Sequence, residues 1–577
     1  MKTRFSQDVD QNCPLSEYPR PQMERKSWTC LNGPWDYAIT KDGKEAAVWD
    51  GKILVPFSPE SELSGVGRKL DPEETLWYHR TLFYSRKKEG ERTLLHFGAV
   101  DQRATVYVNG EEAGSHRGGY TAFSLDITEL LKEGENHLTV SVRDYLGKYE
   151  DSRGKQSEKP GGIWYTPQSG IWQTVWMETV PANYIRRLKI DPDLDGQKCL
   201  VTVQSETPDS VIITLSGVSY VGRTGAPIEL KPERIRPWSP EDPYLYDFTV
   251  RMGEDEVNSY FGLRKFSVEK DKAGTPRLFL NGRPYFHNGL LDQGYWPDGL
   301  YTAPTDEAMI YDIATMKSMG FNCLRKHIKI EPDRWYYHCD RLGMLVWQDM
   351  PSGGGTYSAL VTMAPVAFSR FSLKDDNYKR FARESGEGRE QYYRELTEMV
   401  TQLYNTVCVA VWVPFNEGWG QFDAEKAVSK IMETDRSRTI DHASGWHDQH
   451  IGEVQSLHIY FKPVRFRKDR YGRAVCLTEF GGLTLGLEGH TYEAKEAGYF
   501  RSKDLEALKE DFGNLYRKQI IPAWEKGLSA AIYTQVSDVE GEVNGILTYD
   551  REVEKLPRAF CRELFLPFTE HNGAKPE

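Results

Sequence analysis

The sequence predicts three domains: a jelly-roll β-sandwich, an immunoglobulin-like β-sandwich and a C-terminal TIM (β/α)8 barrel. Short strands that alternate apolar and polar residues fill the first half of the chain, whereas apolar runs alternate with amphipathic helices in the second half. The first pattern is typical of antiparallel sandwiches and the second of parallel α/β units. A chain of 577 residues suffices for several domains, which we place at residues 1–182, 183–270 and 271–577.

The two sandwiches are predicted from their strands and turns. Within the first domain, RATVYV and EEAGSH flank Asn109-Gly110, a pair typical of tight β-hairpins. The segments YTAFSLDI, NHLTVSVRDY and WQTVWMETV continue the alternation. The second domain holds strands such as CLVTVQS and YLYDFTVRM, and its smaller size suits an immunoglobulin-like sandwich.

The barrel is predicted from eight apolar runs, because eight parallel strands close a TIM barrel. Ile313 and Met316 share one face of the helix predicted after the first run. Pro332 can open the helix after the second run, and Asp423 is predicted to cap the helix after the fourth. The runs are YFHNGLL (285–291), FNCLRKH (321–327), MLVWQD (344–349), VCVAVWVPFNE (407–417), TIDHAS (439–444), VQSLHIY (454–460), AVCLTEF (474–480) and LSAAIYTQ (528–535).

One segment of the barrel does not fit this alternation. Residues 351–388 are long and rich in glycine, serine and charge, which predicts an insertion or lid beside the site.

Composition and charge exclude several classes of protein. The formal net charge of −12 argues against nucleic-acid and membrane-surface partners, which need a basic face. No segment is apolar over the about 18 residues of a membrane span or has the form of a signal peptide, so we expect a cytoplasmic protein. Eight scattered cysteines without CxxC spacing predict neither a disulfide framework nor a zinc site.

No cofactor is predicted from the residues. The motif HDQH (447–450) has spaced histidines but no third ligand nearby in sequence, so it does not predict a metal site. The chain also has no phosphate-cradling GxxxxGK[ST] motif and no GxGxxG after a strand. Bound magnesium or sodium and the oligomeric state, including a homo-oligomer, stay open.

Two glutamates end predicted barrel strands. Glu417 is the last residue of the fourth run, and Glu479 lies in LTEFGG at the end of the seventh. Strand ends face the active site in such barrels, and two facing carboxylates suit glycoside hydrolysis. A lone glutamate at a strand end more often bonds a loop amide or an arginine. The placement of both glutamates at strand ends, each followed closely by a glycine, favours a catalytic role for the pair.

The domain order and several motifs resemble glycoside hydrolase family 2, the family of β-galactosidases, β-glucuronidases and β-mannosidases. The motifs are FLNGRPYFHNG, GFNCLRKH, DRLGMLVWQDMP, WVPFNEGW and LTEFGG, so the resemblance spans nearly the whole chain. It implies that Glu417 is the acid/base and Glu479 the nucleophile, and that anomeric configuration is retained through a covalent glycosyl-enzyme. Fold-level analogy does not choose a sugar.

Further residues are expected to contact the substrate. Asn416 is placed to bond the sugar 2-hydroxyl, with a turn residue as the alternative. Tyr460 resembles the family tyrosine that bonds the nucleophile, and His458 could line the same pocket or fill the core. The family histidine stands three residues after the arginine of strand two, but here His327 stands only two after it. Whether His327 or Lys326 faces the pocket therefore stays open.

The remaining candidates each have a structural alternative. They are Asp292 and Trp296 after the first run, Asp349 after the third, Trp419 after the fourth, and Asp538 and Glu540 after the eighth. Trp296 could stack on a sugar, Trp419 could wall the pocket, and the carboxylates could bond hydroxyls or hold loops.

The segment after the eighth run bears on the choice of sugar. β-Glucuronidases carry an Asn-any-Lys pair there, but this chain reads Glu542-Val543-Asn544. A missing lysine and an added carboxylate disfavour a uronate, unless a cation comes from residues 351–388. We therefore expect an exo-acting β-glycosidase for oligosaccharides or glycosides of neutral sugars, with β-D-galactosides first. A uronidase, a mannosidase, an arabinosidase and a non-catalytic glycan-binding protein are the alternatives.

Overall fold

The computed structural model describes residues 1–41, 43–86, 88–368, 371–492 and 500–573. Ser369 and Arg370, which belong to the predicted insertion, lie outside the described residues. The described chain forms two β-sandwiches followed by a parallel barrel, as the sequence predicts.

The N-terminal sandwich consists of one four-stranded and one six-stranded sheet. Asn109 and Gly110 form the predicted hairpin turn, with φ of +54° and +83°, and join two paired strands of the larger sheet. The smaller sheet contains Trp28–Cys30, Val175–Val180, Arg92–Phe97 and Phe123–Asp126. The larger contains Gly51–Val55, Gly33–Thr40, Thr75–Tyr84, Gly134–Arg143, Arg103–Val108 and Glu111–Arg117. A short pair, Val100–Asp101 and Gly170–Ile171, lies beside them.

The second sandwich has sheets of three and four antiparallel strands around its own apolar core. The three-stranded sheet contains Arg187–Asp193, Lys198–Gln204 and Pro227–Leu230. The four-stranded sheet contains Val218–Arg223, Ser210–Leu215, Tyr246–Met252 and Asp255–Phe261. A further small sheet, of Phe266–Lys270, Pro276–Leu280 and Arg283–Pro284, leads into the barrel.

The C-terminal domain is a nearly closed barrel of eight parallel strands, and each predicted apolar run contains one of them. Within the described residues, a hydrogen-bonded β-ladder joins each pair of neighbouring strands except the fifth and sixth. In chain order the barrel strands are His287–Asp292, Cys323–Lys326, Leu345–Asp349, Val409–Val413, Thr439–Ile440, Val454–Ile459, Ala474–Gly481 and Ala530–Thr534.

Helices surround the barrel and bury the faces predicted from the sequence. Ile313 and Met316 are fully buried, and Pro332 stands directly before the second helix. The helices are Asp306–Ser318, Asp333–Leu342, Ala359–Thr362, Ala364–Ala367, Gly386–Gln402, Ala424–Thr434, Leu505–Leu515, Ile521–Glu525 and Arg558–Asn572. No helix in the described part of the chain has the length and apolar character needed to cross a membrane.

The cap predicted at Asp423 differs from the observed one. Asp423 stands at the N-cap position, but its side chain makes no capping bond. Its carboxylate instead accepts a hydrogen bond from the hydroxyl of Tyr378. Asp375 supplies the cap, because its Oδ2 accepts from the Ala424 N–H at 3.0 Å. Residues 351–388 thus hold the start of this helix, a contact that local sequence does not reveal.

Asp340 anchors the strand that leads to Glu417. Its buried carboxylate accepts hydrogen bonds from the N–H groups of Val407 at 3.1 Å and Cys408 at 2.7 Å. A third bond comes from the hydroxyl of Tyr260 at 2.9 Å. One side chain therefore ties the second barrel helix to the fourth strand and to the second sandwich.

We expect Asp340→Ala to lower the free energy of unfolding by about 3 kcal/mol, because three buried donors lose their acceptor. Urea denaturation followed by circular dichroism measures the change. Glu510→Ala, at an exposed position of the helix Leu505–Leu515, is the control. An unfolding midpoint equal to that of the control would show that Asp340 does not anchor the strand.

Candidate active site

Glu417 and Glu479 meet at the C-terminal mouth of the barrel. One carboxylate oxygen of each, together with one nitrogen of His458, lies within 4.8 Å of the others. Carboxyl groups about 5–5.5 Å apart are typical of glycosidases that retain configuration, whereas inverting enzymes need about 6.5–9.5 Å. The separation therefore fits direct attack by one carboxylate and proton transfer by the other.

The backbone at Glu417 aims its side chain into the mouth. Its φ of +51° lies in the left-handed region, which is uncommon for a residue other than glycine. The Glu417 N–H donates to the Ser444 carbonyl at 3.0 Å, which ties the ends of the fourth and fifth strands. Gly418 follows with φ of +71°, and a Cβ there would lie 2.5 Å from the ring of His447 and 2.9 Å from Val361. The sharp turn therefore requires glycine at position 418.

Two donors hold the carboxylate of Glu479. Arg325 Nη1 donates to Oε1 at 3.1 Å, and the Tyr460 hydroxyl donates to Oε2 at 2.6 Å. Burial alone would raise the pKa of Glu479, but His458 and Arg325 outweigh it and lower that pKa to about 2. Glu479 is thus ionised at neutral pH, as a nucleophile must be.

Arg325 joins several strands at the centre of the site. Its guanidinium donates two hydrogen bonds of 3.0 Å to Asp349. It also donates to the Asn416 amide oxygen at 2.7 Å. The predicted candidates Asp349 and Asn416 therefore belong to the same network as Glu479. The sequence identifies Arg325 only as the arginine of strand two. Its role as the common partner of Asp349, Asn416 and Glu479 was not predicted.

His458 lies between the two glutamates. Its Nδ1 is 2.8 Å from Glu417 Oε1 and 3.5 Å from Glu479 Oε2. Its Nε2 is 3.0 Å from the Ser444 hydroxyl. Of the two environments left open for this histidine, the structure places it in the pocket.

The structure also separates His327 from Lys326. His327 Nδ1 is 2.8 Å from Asp349, so this ring belongs to the catalytic network. Burial and the nearby Lys155 lower the pKa of His327 well below its usual value. Lys326 Nζ instead donates to Asp292 and to Glu331, each at 2.8 Å. Of the two residues, His327 is the one on the pocket side.

Two predicted substrate residues take part in other clusters. Asp292 accepts from Lys326 and from the Gly294 N–H, so both of its oxygens have protein partners. The ring of Trp296 lies under the guanidinium of Arg551, with 4.1 Å between the guanidinium carbon and the ring centroid. Asp292 is therefore engaged in a salt bridge and Trp296 in a cation–π contact, and their sugar contacts stay predictions.

The two acids after the eighth strand hold loops. Asp538 accepts from Lys555 Nζ at 2.7 Å and from the Gly545 N–H at 2.8 Å. Burial raises the pKa of Asp538 to about 6. Glu540 accepts from the backbone N–H of Thr166 in the first sandwich at 2.8 Å. The loop-holding alternative of the sequence analysis thus describes the observed contacts of both residues.

A loop of the first sandwich reaches the barrel mouth. Lys155 is only 5% exposed, and its ammonium lies 4.6 Å from the centroid of the Trp419 ring and 5.7 Å from that of Trp164. Within the described ranges, no hydrogen-bond acceptor or carboxylate lies in bonding distance of this ammonium. Trp419 thus lies against a residue of another domain, and its role as a wall of the substrate pocket stays a prediction.

The charge of Lys155 belongs to the catalytic surroundings. Burial lowers the pKa of its ammonium, and three nearby carboxylates oppose that decrease, those of Glu542, Glu417 and Glu479. The sequence analysis missed Lys155. The available signal was the unusually long segment 144–169 between two strands of the sandwich, since long loops often carry function.

Glu542 is engaged by protein groups. Its Oε2 accepts from the Tyr165 hydroxyl at 2.5 Å, and its Oε1 accepts from the Asn544 amide at 2.9 Å. Tyr165 belongs to the same sandwich loop as Lys155. Both oxygens of the added carboxylate that disfavours an acidic sugar therefore already accept hydrogen bonds from the protein.

The residues that could hold a cation coincide with the catalytic pair. Among the described residues, Glu417, His458 and Glu479 form the one group of three close His, Cys, Asp or Glu donors. The salt bridge from Arg325 already places a positive charge on Glu479 and would repel a cation. We therefore assign this group to acid–base chemistry.

The two histidines of HDQH contact different partners and do not converge on a common metal position. His447 Nε2 contacts the carbonyl of Val361 at 2.8 Å, whereas His450 contacts Asp448. The contact to Val361 also places the predicted insertion beside the turn that follows Glu417.

Two β-sandwiches before a barrel that carries paired carboxylates define the architecture of a multidomain glycoside hydrolase. The chain belongs to glycosyl hydrolase family 2. Its residues 68–181 match the family's sugar binding domain, residues 183–264 match the family 2 domain that follows, and residues 276–465 match the TIM barrel domain.

Similar proteins include enzymes of two specificities. The chain is 25% identical over 392 residues to a β-galactosidase of Thermoanaerobacter pseudethanolicus, which covers 63% of this chain and 47% of that protein. It is 24% identical over 372 residues to a β-glucuronidase of Bacteroides fragilis, with 59% and 49% covered. The chain thus spans about half the length of these curated relatives.

Solved structures share the whole fold. A β-glucuronidase of Ruminococcus gnavus aligns over 96% of this chain and 99% of its own, with a TM-score of 0.75 and 17% sequence identity. At this level of identity the likeness establishes the common architecture.

We expect Tyr460→Phe to lower kcat about 10- to 100-fold, because the variant loses a hydrogen bond to a charged group. Losing this donor raises the pKa of Glu479, so the acidic limb of the kcat/KM profile should move to higher pH. Rates on aryl glycosides between pH 3 and 8 measure both effects. Tyr471→Phe, at an exposed tyrosine, is the control. A profile and rate like those of the control would contradict the assigned hydrogen bond.

Proposed function

We propose that the protein is a retaining exo-β-glycosidase that acts by double displacement. The observation that carries this proposal is the close pair of carboxylates, of which Glu479 is held in its ionised form by Arg325 and Tyr460. Family membership supports the same reaction.

In the first step Glu479 attacks the anomeric carbon, and the bond to the leaving oxygen breaks. Glu417 gives its proton to that oxygen, so the leaving group departs as an alcohol. In the second step Glu417 takes a proton from water while the water oxygen attacks the anomeric carbon. The ester bond to Glu479 then breaks, which returns a carboxylate and a sugar of the original configuration.

Asn416 is proposed to bind the sugar 2-hydroxyl. Its Oδ1 is already occupied by Arg325, whereas its buried Nδ2 has no hydrogen-bond partner among the residues that the structure describes. A hydroxyl oxygen of the sugar can accept from this amide. The contact would strengthen as positive charge develops on the ring.

The first candidate substrates are neutral β-glycosides, with β-D-galactosides leading. The residues after the eighth strand support this choice, because Asn544 takes the place of the lysine that would bind a uronate and Glu542 adds a carboxylate beside it. The named β-galactosidase among the relatives is consistent with it.

A second candidate is a β-uronide, and Lys155 is the observation that favours it. Burying an ammonium that has no hydrogen-bond partner among the described residues costs free energy. An anionic ligand that binds this ammonium would offset that cost. This cation comes from the first sandwich, whereas the sequence suggested residues 351–388 as its source. A carboxylate on the sugar could then be bound despite Glu542.

We expect Glu479→Gln to lose about 10⁴-fold or more in kcat while the fold is kept, because the amide cannot form the glycosyl ester. Turnover of 4-nitrophenyl glycosides and circular dichroism measure activity and folding. Glu488→Gln, at an exposed position of the same domain, is the control. An unchanged rate would refute Glu479 as the nucleophile.

We expect Lys155→Met to separate the two substrate classes. If the substrate is acidic, kcat/KM for the 4-nitrophenyl β-D-glucuronide or galacturonide should fall about 100-fold, in line with the loss of a buried charge-assisted hydrogen bond. The matched neutral glycosides should change far less. Lys159→Met, at an exposed position of the same loop, is the control. Wild-type turnover of the galactoside without any turnover of uronides would remove the second candidate.

A further inference from the structure

A chain of hydrogen bonds fixes the proton on one nitrogen of His458. The Thr478 hydroxyl donates to the Leu457 carbonyl at 3.4 Å. The Ser444 hydroxyl donates to Thr478 Oγ1 at 3.0 Å. Ser444 has only one proton to give, so its oxygen must accept at the remaining contact, from His458 Nε2 at 3.0 Å. Nε2 therefore carries a proton.

The other ring nitrogen faces both catalytic carboxylates. Nδ1 is 2.8 Å from Glu417 Oε1 and 3.5 Å from Glu479 Oε2. A ring protonated at both nitrogens can donate to this pair of oxygens, and its charge balances one of the buried acids. Arg325 balances the second, since Asp349 and Glu479 are the two acids that it contacts.

The packing leaves the ring little freedom to turn away. The side chain of His458 is 1% exposed. A Cβ on Gly445 would lie 2.6 Å from the imidazole, so glycine at that position makes room for the ring. The ring contacts the two glutamates and Ser444, and its centroid lies 6.3 Å from that of the Trp446 indole. The buried carboxylates of Asp349 and Asp441 also interact electrostatically with it. The ring is thus held where its Nδ1–H can donate to either of two carboxylate oxygens.

We propose that His458 is a positioning residue that links the charge of the nucleophile to the acid/base, an inference that rests on the proposed function. While Glu479 is ionised, the Nδ1 proton is shared between the two carboxyl groups. When Glu479 becomes an ester it loses its charge, and the Nδ1 proton binds Glu417 alone.

The consequence is a change in the role of Glu417 between the two steps. Glu417 has by then passed its own proton to the leaving oxygen, and the imidazolium stabilises the carboxylate that remains. That carboxylate takes the proton of the attacking water in the second step. His458 keeps both of its protons throughout, so no additional donor or acceptor is required.

The test compares His458→Gln with the wild-type enzyme on glycosides of differing leaving groups. Glutamine keeps a hydrogen-bond donor but carries no charge. We expect kcat/KM to fall about 10-fold on a 2,4-dinitrophenyl glycoside, which needs little proton assistance, and about 100-fold or more on the phenyl glycoside. The glycosides carry whichever sugar the wild-type enzyme accepts. Equal losses on both substrates would overturn the proposal, since a purely structural role affects every leaving group alike.

Azide provides a second readout, because it attacks the glycosyl-enzyme without help from a base. We expect azide to raise kcat of His458→Gln on the 2,4-dinitrophenyl glycoside several-fold, with formation of the β-glycosyl azide, and to leave the wild-type rate unchanged. No response to azide in the variant would contradict a role in the second step.

Two further variants keep the test decisive. Ser444→Ala removes the acceptor of the Nε2 proton and should give the same dependence on leaving group at smaller size, even if His458→Gln fails to fold. His450→Gln, at an exposed histidine that contacts Asp448, is the control and should match the wild type. A wild-type enzyme that hydrolyses no glycoside would refute the proposed function itself, whereas active wild type with uniform losses would refute only the role of His458.

Discussion

The buried guanidinium of Arg325 is the interaction on which the site depends. It donates to Asp349, Asn416 and Glu479, and so joins the ends of the third, fourth and seventh barrel strands to the second. An ion taken fully out of water is costly unless its partners satisfy it, and this one has a bidentate carboxylate and further acceptors. Arg325 holds the carboxylate of Glu479 directly and, at the end of the fourth strand, holds Asn416, the residue before Glu417.

The barrel alone does not complete the pocket. The first sandwich contributes Lys155, Trp164 and Tyr165, which contact Trp419 and Glu542 at the mouth. The mouth of the barrel is therefore lined by residues of two domains, whereas Glu417 and Glu479 both belong to the barrel. The left-handed backbone at Glu417 also depends on its surroundings, because unusual φ values persist only where surrounding contacts enforce them.

Periodicity predicted all eight barrel strands, and the ends of parallel strands converge, so Glu417, Glu479 and Tyr460 could be brought together from sequence. Residues whose partners lie far along the chain could not be predicted in this way. The contacts of Asp292 with Lys326 and of Trp296 with Arg551 were not predicted. Lys155 comes from another domain, and neither strand patterning nor the motifs of the barrel locate such a residue.

Among the described residues, no hydrogen-bonded β-ladder joins the fifth and sixth barrel strands. Side chains bridge this gap near the mouth. Ser444 and His458 form one such bridge. Hydroxyl and imidazole contacts can lengthen and re-form without breaking a backbone ladder, so we expect this seam to be the most compliant part of the wall. Widening there would accommodate a bulky aglycone, and the contact between Ser444 and His458 would limit how far the wall opens.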